Sequence, residues 1–303
     1  MDEDESNEMS GRTWGKWLAQ ASPLLVVALW GSATLLSALA LREIGPMAVS
    51  FWRWAWALPA LWAALLISPD RGRTLPALRT NPLHLLAVGL TGVTALYAFQ
   101  NLALQRTSVF NVSLLIELTP VFIALLALAI LREYPTLRTW LGIGLGFAGA
   151  ALLAFNGLES RAVSGPTSLS GDALALGAAL AGAIYTVHGK RLTRRMAPLL
   201  MLTLSATAGV LMLLPLALWE GAFWPQSLAV WGYLMALGLG AGAFGNLWWF
   251  RALEHRQAAQ LSIILFLTAL VAAALAVLVL GDPLTGWLIA GGALIILGAR
   301  LVK

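Results

Sequence analysis

Of 303 residues, 59% are hydrophobic and 11% are charged, against about a quarter charged in a soluble domain, and the apolar excess runs the whole length, which excludes a soluble enzyme on a single anchor. The net charge of +5 is not massed in one segment as a nucleic-acid footprint would be; basic residues instead punctuate apolar stretches, the pattern of membrane topology. There is no cysteine, so disulfides, thiolate nucleophiles and zinc–cysteine sites are excluded.

A helix needs about 20 residues to cross a bilayer core of about 30 Å. Charges, Gly and Pro divide the chain into ten such segments, at about 22–41, 47–68, 83–104, 108–131, 136–157, 170–190, 197–219, 228–251, 257–280 and 284–301. The expected fold is all-α and integral to the membrane, with residues 1–20 as a tail whose acidic start is disordered. Arg12 and Lys16 before the first apolar run mimic a signal peptide. The run is long, and its loss would leave the first half one helix short, so it is read as a retained helix.

Along the chain, the first helix carries Trp30-Gly31-Ser32 at mid-membrane, where Trp30 either lines a pocket or packs. The third carries Tyr97, Gln100 and Asn101 toward one end, with Tyr97 and Asn101 a turn apart on one face. They are ligands for a carboxylate or amine, or else interhelical hydrogen-bonding groups. Glu117 falls nine residues into the fourth helix with no basic residue near it in sequence. A charge at that depth costs about 2.5–3.5 kcal/mol, so such groups face a cavity or a partner. Glu117 meets a substrate ammonium or titrates with a coupled proton; the alternative is a protonated carboxyl hydrogen-bonded between helices. Pro120, lacking an N–H, frees the Ile116 carbonyl and kinks the helix, as a hinge or passively. The sixth helix carries Tyr185 and His188, the latter a proton relay or a packed histidine; His84 and His255 are read as bland boundary residues. Asn246 of the eighth helix corresponds by repeat to Tyr97.

Most of the fourteen Trp residues fit interfacial belts, with Trp14, Trp17, Trp140, Trp248 and Trp249 at the inner face and Trp52, Trp219, Trp224, Trp231 and Trp287 at the outer. Gly142-x-x-x-Gly146 and Gly238-x-x-x-Gly242 permit close helix packing. Gly144-x-Gly146-x-x-Gly149 matches a dinucleotide fingerprint but follows no strand, and is rejected. The Asn111-Val112-Ser113 sequon lies within a helix and is discounted. There is no metal-ligand cluster, triad or phosphate loop, so no cofactor, metal site, catalytic residue or enzymatic activity is expected.

Fifteen basic residues fall on one side of this topology and three on the other, Arg42, Arg106 and Arg161, with Arg53 inside the second helix. Both termini are therefore expected in the cytoplasm, in a bacterial inner membrane. The halves repeat at a constant offset of 149: Ser113/Ser262, Leu118-Thr119/Leu267-Thr268, Leu126-Ala127/Leu275-Ala276 and Leu131/Leu280 are identical. The expected units are repeat 1 (21–157), an external linker (158–169) and repeat 2 (170–303). Five helices is an odd number, so the copies enter the bilayer from opposite faces, an inverted repeat of the kind carriers use.

Trp30-Gly31-Ser32, Thr119-Pro120-Val121 running on to Arg132-Glu133, and the echo Leu267-Thr268 to Gly281-Asp282 with Gly291, Gly292 and Gly298 together resemble the drug/metabolite transporter superfamily. The likeness is to its EamA-type ten-helix carriers and spans residues 22–302. The Trp-rich, Lys-poor chain is similar within it to the aromatic amino acid exporters of the YddG type. Ala269 stands where the family often has Pro, and Asp282 where it often has Glu. The resemblance implies an alternating-access exporter of amino acids, aromatic and other neutral ones first, or of related small metabolites. A multidrug carrier, a channel or a lipid-translocating protein are the alternatives. Helices 1, 3, 4, 6, 8 and 9 are expected to line a cavity walled by Trp30, Tyr97, Asn101, Glu117, Tyr185 and Asn246, with helices 5 and 10 as scaffold. The expected partners are a small-molecule substrate and the lipid bilayer, and two fused halves suffice as a monomer.

Overall fold

The computed structural model describes residues 24–33, 35–37, 39–160, 168–275, 277–278 and 283–302. The tail 1–20 with Trp14 and Trp17, most of the expected linker, and Gly281-Asp282 lie outside the described residues. Among the described residues the regular structure is helical throughout. It runs α1 (Leu24–Ser37) and α2 (Pro46–Ile67), then a 3₁₀ turn and the short helix Thr74–Thr80. α3 is Pro82–Gly89, continued by the π-helical Leu90–Ala95 into Leu96–Arg106. α4 is Val109–Ile116, Thr119–Leu126 and the π-helical Ala127–Leu131. α5 (Leu137–Ser160), α6 (Leu169–Thr193) and α7 (Pro198–Glu220) are unbroken. α8 is Leu228–Ala236, the π-helical Leu237–Gly245 and Asn246–His255. α9 is Ala258–Ser262 and Leu265–Leu275, and α10 is Gly286–Leu301.

Local chemistry sets the starts. Proline opens α2, α3 and α7, where the missing N–H costs nothing. The hydroxyls of Ser108, Ser168 and Ser227 accept first-turn N–H groups of α4, α6 and α8. Seven helices, α3 to α9, are long and apolar enough to cross a membrane. α2 has 22 residues, about 33 Å, but Arg53, Trp52, Trp54, Trp56 and Trp62 dilute its apolarity. α1 and α10 are apolar but shorter than eighteen residues. The expected ten spans thus each contain a helix, and seven of them meet both requirements.

The 149-residue repeat is written into the backbone. α3 ends at Arg106 and α8 at His255, followed by extended Thr107 (φ −138°) and Arg256 (φ −131°). The extended residues before α4 and α9 are Ser108 and Gln257. Every one of these pairs stands at the same offset, so the kinship reaches beyond shared greasiness to turn geometry.

α5 and α10 make the most extensive helix contact in the molecule. A Cβ on Gly149 would lie 2.5 Å from the Gly291 carbonyl oxygen, and one on Gly298 would lie 2.7 Å from that of Gly142. Backbone meets backbone, with no flexible side chain to yield, so absence of a side chain is what sets the interhelical distance. At the far end of the molecule the halves are joined by carboxylates. Glu220 accepts from the N–H groups of Met47 and Ala48, and Glu43 accepts from the hydroxyl and N–H of Ser227 and the N–H of Gln226.

Two outcomes are expected. Gly149→Ala forces α5 and α10 apart at a cost of about 1–3 kcal/mol, whereas Gly144→Ala, on the same helix but facing open space, leaves the unfolding midpoint in detergent unchanged or slightly raised. The Ser227 hydroxyl first, then the Ser227 and Gln226 N–H groups, hold the Glu43 carboxyl below its ordinary value. Its contribution is therefore complete above the usual carboxylate pKa and lost as pH falls through the lowered one. Wild type and Glu43→Gln should differ in thermal midpoint at neutral pH and converge in acid.

Candidate functional site

The π-helical Leu237–Gly245 of α8 organises the centre of the molecule. A π turn shifts the i→i−4 register and frees carbonyls to other donors. Here the Ala241 carbonyl accepts both the Trp30 indole N–H (3.0 Å) and the Asn246 amide (2.9 Å), and the Gly242 carbonyl accepts a further Asn246 N–H (2.9 Å). With both amide hydrogens spent, the Asn246 carbonyl oxygen accepts from the Tyr185 hydroxyl at 2.9 Å. Tyr185 in turn lies edge-on to Phe250 and presses on Gly92, where no Cβ would fit. Trp30 packs on Trp249 with ring centroids 5.4 Å apart. Trp249 is buried, a correction to its expected place in the interfacial belt. Tyr185 and Asn246 are buried; Trp30 remains half-buried.

Tyr97 lies beneath the Arg53 guanidinium, whose carbon sits 4.7 Å from the ring centroid. Arg53 is 7% exposed and its Nε has no hydrogen-bond partner. Asn101, a turn beyond Tyr97, donates to the Pro46 carbonyl and the Ser50 hydroxyl, both at 2.8 Å. It straps α3 to the start of α2, leaving only its own carbonyl oxygen for another group. Sequence reasoning placed Arg53 inside a helix but did not count it as a site residue. The signal was present in a lone arginine near the middle of an apolar run.

Glu117 lies at an interruption of α4, not within a continuous helix as expected. The Leu118 N–H reaches back only to Leu115 (3.2 Å), and at the equivalent place in α9 that of Leu267 reaches Ile264 (3.0 Å). Since α9 has Ala269 where α4 has Pro120, proline does not account for the break. The Ile116 carbonyl, expected to be left unpaired by Pro120, accepts the Thr119 hydroxyl at 2.6 Å; Thr268 does the same for Leu265 at 2.6 Å. The half-buried Glu117 carboxylate makes no hydrogen bond or ion pair among the described residues. Gly182 of α6 links this break to the Tyr97 layer: a Cβ there would lie 3.5 Å from both Leu96 and Thr119.

The basic end of the bundle is closed by a separate cluster. Left-handed Arg132 (φ 55°) ends α4 and turns the chain at Glu133. The Glu133 carboxylate pairs with Lys190 of α6 at 2.6 Å, lies 3.9 Å from Arg194, and accepts the first N–H of α9, from Ala258, at 2.7 Å. Lys190 also donates to the Arg256 carbonyl. One carboxylate thus holds the ends of α4, α6 and α9. Nearby, His84 and His188 share a hydrogen bond of 3.1 Å beside Arg191 and Arg195. His84, read as bland, is therefore the partner of the expected relay residue. Among the described residues no three His, Cys, Asp or Glu side chains gather as a metal would require.

The family model described as the EamA-like transporter family matches the chain twice, at residues 15–155 and 169–303. An "Uncharacterized transporter" of Archaeoglobus fulgidus is 30% identical over 95% of this chain and 98% of its own length. A Streptantibioticus cattleyicolor protein named "Probable terminal-alkyne amino-acid exporter" is 30% identical over 92% of this chain and 91% of its own. The transporter YyaM of Bacillus subtilis is 26% identical over 81% of each. A protein crystal structure superposes with a TM-score of 0.77 at 21% identity, covering 94% of this chain and 96% of that one; at that identity the likeness is one of fold.

The Glu133–Lys190 pair has side chains 11% and 7% exposed, so breaking it strands a buried charge. Glu133→Gln and Lys190→Met should each cost about 3–5 kcal/mol, and the double variant clearly less than their sum, in a double-mutant cycle of thermal or denaturant unfolding in detergent.

Proposed function

This chain belongs to the EamA-like transporter family, and from that premise we propose that it exports amino acids, neutral and aromatic ones first, by alternating access. The family makes it a multi-pass membrane transporter of small molecules and not an enzyme. The finer reading rests on one observation above all, the half-buried Glu117 carboxyl at the break of α4, without a partner among the described residues. A carboxylate kept unpaired inside an apolar bundle is costly. It is retained where a cation arrives from outside the protein, and the ammonium of an amino acid is such a cation. The half-buried faces of Trp30 and Tyr97 offer the apolar and aromatic surface that its side chain needs, with Tyr185 and Asn246 fixing that wall from behind. The relative named as an amino-acid exporter favours the same substrate class.

In this reading all ten helices span, α1 and α10 included, and the two five-helix repeats face opposite sides. Exchange of their conformations opens one side as it closes the other. The charge asymmetry puts the basic end, and both termini, in the cytoplasm, so the Glu133 cluster serves as the inner closure. The chain works in the inner membrane, and the two fused halves suffice as a monomer. Pro120 and Thr119 form the hinge beside Glu117, and the His84–His188 pair stands as a proton relay at the inner mouth.

Counterflow of radiolabelled amino acid in proteoliposomes, with Trp, Phe, Thr and Met as competitors, tests the reading. Saturable exchange is expected, and Glu117→Gln should weaken it about ten- to a hundredfold, the worth of a charge-assisted hydrogen bond. Exchange by Glu117→Gln equal to wild type across pH would remove this residue from the mechanism. No response to any amino acid would favour a multidrug carrier, and flux without saturation a channel.

A further inference from the structure

We infer that Arg53 is the anchor for a substrate carboxylate, so that the transported class must carry a free acid group beside its amine; this deepens the exporter reading above and rests on it. Among the described residues two cations are buried, Lys190 and Arg53. Lys190 is neutralised by Glu133. Arg53 forms none of the ion pairs of the described residues, and its Nε is buried without a hydrogen-bond acceptor. A guanidinium held in an apolar bundle without an anion is costly by the same physics that makes Glu117 costly.

What holds Arg53 in place leaves its chemistry free. The guanidinium carbon sits over the Tyr97 ring at 4.7 Å, and the face of an aromatic ring steadies a cation without neutralising it. A guanidinium carries five N–H donors in one plane, and a carboxylate takes two of them side by side. Its backbone is fixed as well, because a Cβ on Gly238 of α8 would lie 2.6 Å from the Arg53 carbonyl oxygen. A Cβ on Gly242, whose carbonyl holds Asn246, would lie 3.6 Å from the same Arg53 oxygen, which sets Arg53 beside the stretch of α8 that carries Asn246 and accepts Trp30. The cation is on α2 and the Glu117 carboxyl, likewise in no ion pair among the described residues, is on α4, with α3 in contact with both helices. A cationic fork and a carboxyl left unspent on two helices that share α3 as a neighbour complement a zwitterion.

The test uses the full-length protein in proteoliposomes and the best-exchanged of Trp, Phe, Thr and Met. That amino acid competes with its own amide, which keeps the amine and side chain but lacks the acid. Wild type should prefer the acid by at least about tenfold. Arg53→Met should erase that preference while its chromatographic profile and thermal midpoint show a folded protein. Arg53→Lys, a point charge without the planar fork, should retain part of it. If wild type exchanges amino acids yet accepts the amide equally, or if Arg53→Met keeps the preference, the assignment of Arg53 is overturned and the exporter reading stands. If wild type exchanges no amino acid at all, the exporter reading falls and this one with it.

Discussion

Within hydrocarbon there is no water to complete a main chain's hydrogen bonds, so a helix can be interrupted only where the protein itself supplies the missing partners. Interrupted helices are what this molecule is built around. In α4 and α9 the carbonyls at the break, Ile116 and Leu265, are taken by the threonines three residues on. In α8 the carbonyls released by the π-helical stretch are taken by Trp30 and Asn246. Each repair places a polar or aromatic side chain in the interior, and the candidate site is built around these repairs. Tyr185 is in place because Asn246 is, and Asn246 is in place because Ala241 and Gly242 have carbonyls to spare.

The continuous helices do the opposite work. α5 and α10 meet through bare backbone at Gly149, Gly291, Gly142 and Gly298, giving a rigid spine against which the interrupted helices are displayed. Charges are kept to the ends, with Glu43 and Glu220 stapling the halves at one and Glu133 at the other. Arg53, on the continuous α2 against the π-helical stretch of α8, and Glu117, at the break of α4, are the departures from that rule.

Much of this was legible in the sequence, for physical reasons that can be named. Apolar runs between charges locate helices because the bilayer demands length and greasiness together, and each expected span contains one. The 149-residue offset survived as backbone geometry at the breaks of α4 and α9 because Thr119 and Thr268 give their hydroxyls to the carbonyls freed there, which Leu and Ala cannot do. The π-helical segments were not legible, since Leu90–Ala95 and Leu237–Gly245 read as ordinary apolar helix and their altered register depends on tertiary donors. Pro120 misled in part: the break it marks also occurs in α9 without proline. His84 and His188 are 104 residues apart, and no local pattern could join them. Arg53 was visible as a residue, but that it forms no ion pair among the described residues is a fact of packing and not of sequence.

The Glu133 carboxylate carries a further implication. It is shared by the ends of three helices, and it also screens a lysine that has almost no access to water. Such a knot does not loosen by degrees. Parting α9 alone, or α6 alone, would leave Lys190 or the Ala258 amide stranded, so intermediate arrangements are the least favourable ones. That end of the bundle is thereby biased toward being wholly joined or wholly parted, and the same carboxylate that ties three helices together makes their separation a single event.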